Sequence, residues 1–250
     1  MRIARETWLL FRRRLIEQVR SPVWLFMGFA TPLMYLALFA PLLGGIPAMG
    51  EAGVANVFVP GLLALFALSS GTGIGWTIIH ELNTGVIERF RVSPISRFSL
   101  LMGNVLKDVV MFVLPALIVI IVASFTGFRL HAAGLALLLV LLCILTAVVS
   151  AVSSCLGLLF KDIGTLAAVV TGLQLPLTLL AGVLLPISFG PLWLQILAHF
   201  NPLYYVVEAA RVLADGSVWD PKVLLAFAVM GALLAITLGW ATRVYRKAVA

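Results

Sequence analysis

The sequence predicts an all-α membrane protein with six transmembrane helices, an N-terminal amphipathic interfacial helix, and re-entrant short helices between spans 5 and 6. Three observations carry this reading. Of the 250 residues, 62% are hydrophobic and only 11% charged, with a mean hydropathy of +1.15. Apolar stretches of about 20 residues, the length a ~30 Å hydrocarbon core requires, recur along the whole chain. Basic residues gather in alternate connections. A soluble domain carries about 25% charged residues, so this chain has too few to coat a globule. The net charge of +7 is accordingly placed along a membrane face, and no nucleic-acid partner is expected.

Residues 1–21 form the first unit. Ile3, Trp8, Phe11, Leu15 and Val19 recur at helical spacing, with Arg5, Arg13, Glu17 and Arg20 mostly on another face. Such a helix lies in the headgroup plane among membrane lipids. It serves either as an orientation anchor or as a gate helix touching substrate headgroups or a partner. The apolar run that follows, from about Pro22 to Leu43, is too long for a cleaved signal sequence.

Residues 22–250 form the membrane domain, with spans at about 22–44, 54–79, 100–124, 132–159, 163–184 and 221–242. The stretch Ile163–Val207 holds no Asp, Glu, Lys or Arg, and as one helix would reach roughly 68 Å. Pro186, Gly190, Pro191 and Pro202 interrupt it, so one span is expected to about Leu184, then short helices that dip in without crossing. With the N-terminus inside, 14 of the 17 basic residues fall on the cytoplasmic side. A seventh span would put the basic C-terminus outside, so both termini are placed in the cytoplasm. Cys143 and Cys155 lie about 18 Å apart along one helix, too far for a disulfide.

Two segments carry functional signals. The connection 81–97 holds Glu81, Gly85, Glu88, Arg89, Arg91, Pro94 and Arg97 among apolar residues. Glu88 and Arg91 are spaced to pair on one helix face, and Pro94 ends that helix. This makes a rigid lever or an ordinary solvated loop. The outer region 186–214 contains Pro186, Pro191, Trp193, Asn201, Pro202, Tyr204 and Tyr205, in which prolines break helices and aromatic rings suit the interface. An external gate and a passive cap are both compatible with that pattern.

Both segments resemble the type-2 permeases of ABC exporters, a family that includes daunorubicin-resistance and polysaccharide-export permeases. Gly85-x-x-Glu88-Arg89 with Ser93-Pro94-Ile-Ser-Arg97 is similar to the family's coupling segment, although Val86 replaces its usual Thr. Ala181-Gly-Val-Leu-Leu-Pro186-Ile-Ser, Pro191-Leu-Trp-Leu-Gln195 and Asn201-Pro202-Leu-Tyr-Tyr-Val-Val-Glu208-Ala-Ala-Arg211 resemble its outer re-entrant region. The resemblance implies a plasma-membrane permease that exports an amphiphilic or apolar, drug-like or lipid-like substrate. It also implies two cognate ATPase subunits and a second permease copy, identical or related, with spans 1, 2 and 5 lining the path. A lipid-linked glycan exporter is the alternative within transport. An intramembrane enzyme or a structural subunit is the alternative outside it.

The chain has no Gly-x-x-x-x-Gly-Lys-Ser/Thr phosphate loop. ATP and Mg are therefore expected on the partner, with no cofactor on this chain and no catalytic function of its own. Gly71-x-x-x-Gly75 reads as a helix-packing motif. Gln174, mid-span 5, is the candidate substrate-path residue. Lys107–Asp108 and Lys161–Asp162 are expected at span ends, with the lysines snorkelling outward. His199 has no His or carboxylate at ligand spacing, so no metal site is expected, and Glu208 and Arg211 are spaced to pair.

The topology is checked by thiol labelling in a background with Cys143→Ser and Cys155→Ser. An impermeant reagent added outside cells should modify Ser188→Cys and spare Ser96→Cys and Ala250→Cys. Labelling at position 250 would mean that an odd number of segments cross.

Overall fold

The computed structural model describes residues 2–44, 50–86, 96–125, 128, 131–183 and 187–248. Among these residues there are nine α-helices and no strand. They are α1 Arg2–Val19, α2 Pro22–Gly44, α3 Gly50–Asn83, α4 Arg97–Ser124, α5 Ala132–Phe160, α6 Ile163–Leu180, α7 Leu192–Ala198, α8 Pro202–Ala214 and α9 Pro221–Ala248. Five are long and apolar enough to cross a membrane: α3 over Asn56–Asn83, α4, α5, α6, and α9 over Pro221–Arg246. α2 contributes a shorter apolar stretch, Phe26–Leu38. The all-α membrane class is the one the composition predicts.

Boundaries depart from expectation where local chemistry overrides hydropathy. α3 runs on through His80 and Glu81 to Asn83, because charge alone does not stop a helix. α6 ends at Leu180, short of the expected 184. Gly182 there takes φ 66°, its N–H donates to Leu179 O at 3.1 Å, and Val183 N–H donates to Thr178 O at 3.5 Å. That left-handed turn closes the helix. At its other end the Asp162 carboxylate accepts from Thr165 N at 2.7 Å and from Thr165 Oγ1 at 2.8 Å, which holds that carboxyl below its ordinary range. The proline-broken stretch folds into a 3-10 turn at Ile187–Phe189, the 7-residue α7 and the 13-residue α8. At roughly 10 and 20 Å, neither helix crosses a bilayer.

The bundle is built around α3 and α5. A Cβ on Gly75 would lie 2.8 Å from Ser153 O, and one on Gly157 would lie 2.7 Å from Gly75 O. The two backbones touch because these positions carry no side chain. Ser153 Oγ donates to Thr72 O at 2.6 Å and accepts from Gly75 N at 3.1 Å, while Thr146 Oγ1 donates to Ala67 O at 3.2 Å. Gly71 also lies against α5, at Thr146 O and Ser150 N, so the Gly71–Gly75 pair is a packing motif.

Around this pair, Leu62, Leu63, Leu142, Val207, Leu213 and Met230 join α3, α5, α8 and α9 in the main core. A second cluster, with Ile78, Leu101, Val105, Cys155 and Tyr245, fills the α1 end. α6 stands apart, with Leu166 its single buried residue. α2 is similarly peripheral, burying Pro32 and Leu36 among its described side chains.

Gly157→Val should destabilise the bundle by about 1–3 kcal/mol, because the new side chain meets backbone. Gly73→Ala, where a Cβ meets nothing within 4 Å, should hold or raise stability. Thermal unfolding in detergent separates the two; equal losses would contradict the packing assignment.

Candidate functional site

At one end of the bundle α1 lies across α4. The face it turns inward is not its most apolar one. Phe11 and Arg14 are buried, whereas Ile3, Trp8, Leu9 and Val19 remain exposed, available to lipid. A Cβ on Gly103 of α4 would lie 2.9 Å from Leu10 Cβ, so the two helices sit close. Glu6 Oε2 accepts from Ser96 N at 2.9 Å and from Ser99 Oγ at 3.4 Å. Arg14 pairs with Glu81 near the end of α3, both side chains 9% exposed. Burial opposes the charge on Arg14, but the hydrogen bond and charge of Glu81, with the nearby charge of Glu17, hold the guanidinium pKa above its ordinary value.

The expected coupling residues divide accordingly. Glu81 is not a free surface carboxylate but the buried partner of Arg14. Gly85 takes φ 70° just past α3, and Arg97 opens α4. Glu88, Arg89, Arg91 and Pro94 lie outside the described residues. Both roots of the connection are therefore fastened to α1, Ser96 through Glu6 and Glu81 through Arg14. The two attachment points on α1 lie about 12 Å apart along the helix axis. The long separation in sequence between Arg14 and Glu81 hides this pairing from sequence reading.

Within the bundle, a cavity of about 740 Å³ lies between α2, α3 and α4, and Gln18 of α1 reaches it. Ser69, Ser70, Thr72 and Trp76 line one wall, and Met27 and Thr31 another. Lys107 and Asp108 line it as well, and the expectation that they snorkel at a span end is overturned. They stand some 15 Å into α4 and are 7% and 2% exposed. Lys107 Nζ is 2.6 Å from Asp108 Oδ1, and Ser150 Oγ of α5 donates to Asp108 Oδ2 at 2.5 Å. The pair is held by the protein interior, where an ionisable residue within a span marks function by default. Gln174 does not line the cavity; its Nε2 donates to Ser69 Oγ at 2.9 Å, linking α6 to the cavity wall.

At the opposite end the re-entrant helices differ in attachment. Pro202 opens α8, whose apolar face enters the main core. Asn201 caps α8 by accepting from Leu203 N at 3.0 Å and donates to Leu177 O of α6 at 2.7 Å. Arg211, 8% exposed, donates to Gly182 O at 2.6 Å, to Val57 O at 3.3 Å and to Glu208 at 3.4 Å. The Glu208–Arg211 pair is as spaced, and the carbonyl contacts are the part sequence reading missed. α7 is looser: Leu192, Trp193 and Ile196 are exposed beyond Pro191. Gln195 Nε2 holds Gly190 O at 2.9 Å, and Tyr205 OH donates to His199 O at 2.9 Å. Tyr204 and Tyr205 pack edge to face, 5.5 Å between centroids. Pro186 lies outside the described residues.

A helical bundle with a docked N-terminal helix, a half-open cavity between its helices and short helices at the far end fits a multi-pass membrane permease. The sequence matches the family described as ABC-2 type transporter over residues 5–214, and the chain belongs to that family. It is thus the membrane permease of an ABC transporter, a transport component that works with ABC ATPase subunits. The putative transport permease ycf38 of Cyanophora paradoxa is 30% identical over 219 residues, covering 86% of this chain and 76% of the relative. The daunorubicin resistance ABC transporter permease protein DrrB1 of Streptomyces coeruleorubidus is 24% identical over 230 residues, covering 90% and 81%. The ycf38 permease of Porphyra purpurea is also 24% identical over 230 residues, covering 87% and 77%.

Arg14→Ala should cost about 3–5 kcal/mol, because it leaves the buried Glu81 carboxylate without its cation. Glu81→Ala should cost less, because Arg14 keeps Glu17 Oε2 at 3.6 Å. Arg14→Leu with Glu81→Leu should recover most of that loss. Unfolding temperatures of the three proteins test this, and a double variant no better than the singles would refute the pairing.

Proposed function

We propose that this chain is the membrane subunit of an ATP-driven exporter that moves an amphiphilic or apolar substrate out of the cytoplasm or inner leaflet. In this reading it sits in the plasma membrane with both termini in the cytoplasm, and the α1 end faces inward. Two permease copies, or this chain and a related one, flank the path, and two ATPase subunits carry the ATP and Mg. The drug resistance in the name of the Streptomyces relative supports a drug-like cargo.

The observation that carries the reading is the double attachment of α1 to the roots of the 81–97 connection. An ATPase pressing on that connection moves α1 through Glu6 and α3 through Glu81. α3 carries the motion to the cavity, since Ser69, Ser70 and Thr72 lie on both. Nucleotide then biases a two-state element. On this account α1 is a working link between ATPase and path rather than an orientation anchor alone.

At the far end α8 is fixed by Asn201 and Arg211, and the exposed α7, with Trp193, is the part free to act as the external gate. α2 and α6, sparsely buried among their described side chains, offer apolar faces to the second copy, with Gln174 and Ser69 at the seam.

The coupling is tested in liposomes with the co-purified ATPase. Glu88→Ala, or a glycine inserted after Arg91, should leave basal ATP hydrolysis in place while transport stops and substrate no longer changes hydrolysis. Unchanged transport in both variants removes the coupling role, and failure of any ATPase to co-purify removes the exporter reading.

A further inference from the structure

The cavity between α2, α3 and α4 has a chemistry more specific than its size. Its volume, about 740 Å³, lies within the 300–1,000 Å³ of small-molecule sites. Most of the lining is apolar, with Met27, Phe66, Trp76, Met111 and Phe112 around it. Its hydroxyl hydrogens are largely taken up by the protein: Ser70 Oγ donates to Asp108 O at 3.3 Å and Thr72 Oγ1 donates to Ser69 O at 2.7 Å. Asp108 has both oxygens held, one by Lys107 and one by Ser150. The Lys107 ammonium has three donors, and among the described residues Asp108 takes one. Charged donor capacity therefore concentrates at Lys107, while the other polar groups of the lining include neutral hydroxyls, the Gln18 amide and the Asp108 carboxylate.

Two glycines widen the same cavity. Gly28 of α2 and Gly73 of α3 both line the cavity, and a Cβ at either would meet nothing within 4 Å. Gly71 and Gly75, by contrast, are required by contact with α5. Glycine is unfavourable inside a helix, and among the described residues no packing partner explains Gly28 or Gly73. The space they leave belongs to the cavity.

We infer that this cavity binds one anionic amphiphile, its phosphate or carboxylate head on the Lys107 ammonium and its apolar body against Met27, Phe66 and Trp76. That this molecule is of the class the permease carries rests on the exporter reading above.

The test uses the full chain with its co-purified ATPase in nanodiscs of zwitterionic lipid, without ATP. A brominated long-chain alkyl phosphate is titrated while the Trp76 share of emission is read as the difference from Trp76→Phe. Quenching should saturate, and Gly73→Leu and Gly28→Leu, which fill the cavity from two walls, should each weaken binding by about tenfold or more. The double variant Lys107→Met with Asp108→Asn leaves no orphaned charge. It should weaken the alkyl phosphate by about tenfold and leave a brominated alkyl maltoside unchanged. An alkyl trimethylammonium of equal chain length should bind more weakly than the phosphate.

Equal binding of phosphate and trimethylammonium, or quenching undiminished by both leucine variants, overturns the inference. Displacement by inorganic phosphate alone would assign the site to a free anion and overturn the amphiphile. Because binding is read without ATP, its loss in an intact ATPase complex rejects this inference and leaves the exporter reading standing. Binding by a chain that captures no ATPase does the reverse.

Discussion

α3 and α5 lie backbone against backbone because Gly71, Gly75 and Gly157 place no side chain between them. Within a membrane lipid tails are as apolar as leucine, so helices gain no hydrophobic drive from meeting each other. Close van der Waals contact and a few hydrogen bonds must hold them, and Ser153 and Thr146 supply those bonds across this seam. Other features take their register from it. With Gly71 and Gly75 turned to α5, Ser69, Gly73 and Trp76 face the cavity instead. On α5, Ser150 is set where it reaches Asp108. A slip along the seam would separate the cavity wall from the charge that stands in it.

The two ends of the bundle are fastened by different chemistry. At the α1 end the link is an ion pair, Arg14 with Glu81, between helices far apart in sequence. Buried pairs of this kind contribute little net stability against an apolar substitute, but they do specify one arrangement over another. At the far end Arg211 is held chiefly by backbone carbonyls of Gly182 and Val57. A guanidinium presents several donors in fixed directions, so it can hold two segments at once. Carbonyls that follow the end of α6 have no partner within that helix, and Arg211 meets that need. The near end is a contact between two buried side chains, and the far end is a contact with the chain's own backbone.

Much of the fold is written in hydropathy and punctuation. Long apolar runs give the spanning helices, and Pro191 and Pro202 give the short ones. What escapes is anything set by pairing between distant segments. Lys107 and Asp108 look like a boundary pair because they interrupt an apolar run, yet they face Ser150 and the cavity inside the bundle. The apolar stripe of α1 is visible, but Glu6 and Arg14, which dock the helix, look like ordinary solvated charges in a sequence. Gln174 stands out as a polar residue in an apolar span, while its partner Ser69 is one hydroxyl among several. Position along the chain reports depth poorly, and it does not report rotation about a helix axis at all.

The early close of α6 at Gly182 also bears on the surrounding bilayer. α6 has 18 residues, roughly 27 Å, whereas its neighbour α5 has 29, roughly 44 Å. Lipid against the first meets a protein surface slightly shorter than a typical ~30 Å hydrocarbon layer, and lipid against the second meets a longer one. One annulus must pinch where the other thickens or the helix tilts. Membranes of different thickness therefore load this molecule unevenly around its circumference. Acyl-chain length becomes a mechanical variable acting on α6, a spanning helix that the rest of the bundle scarcely covers.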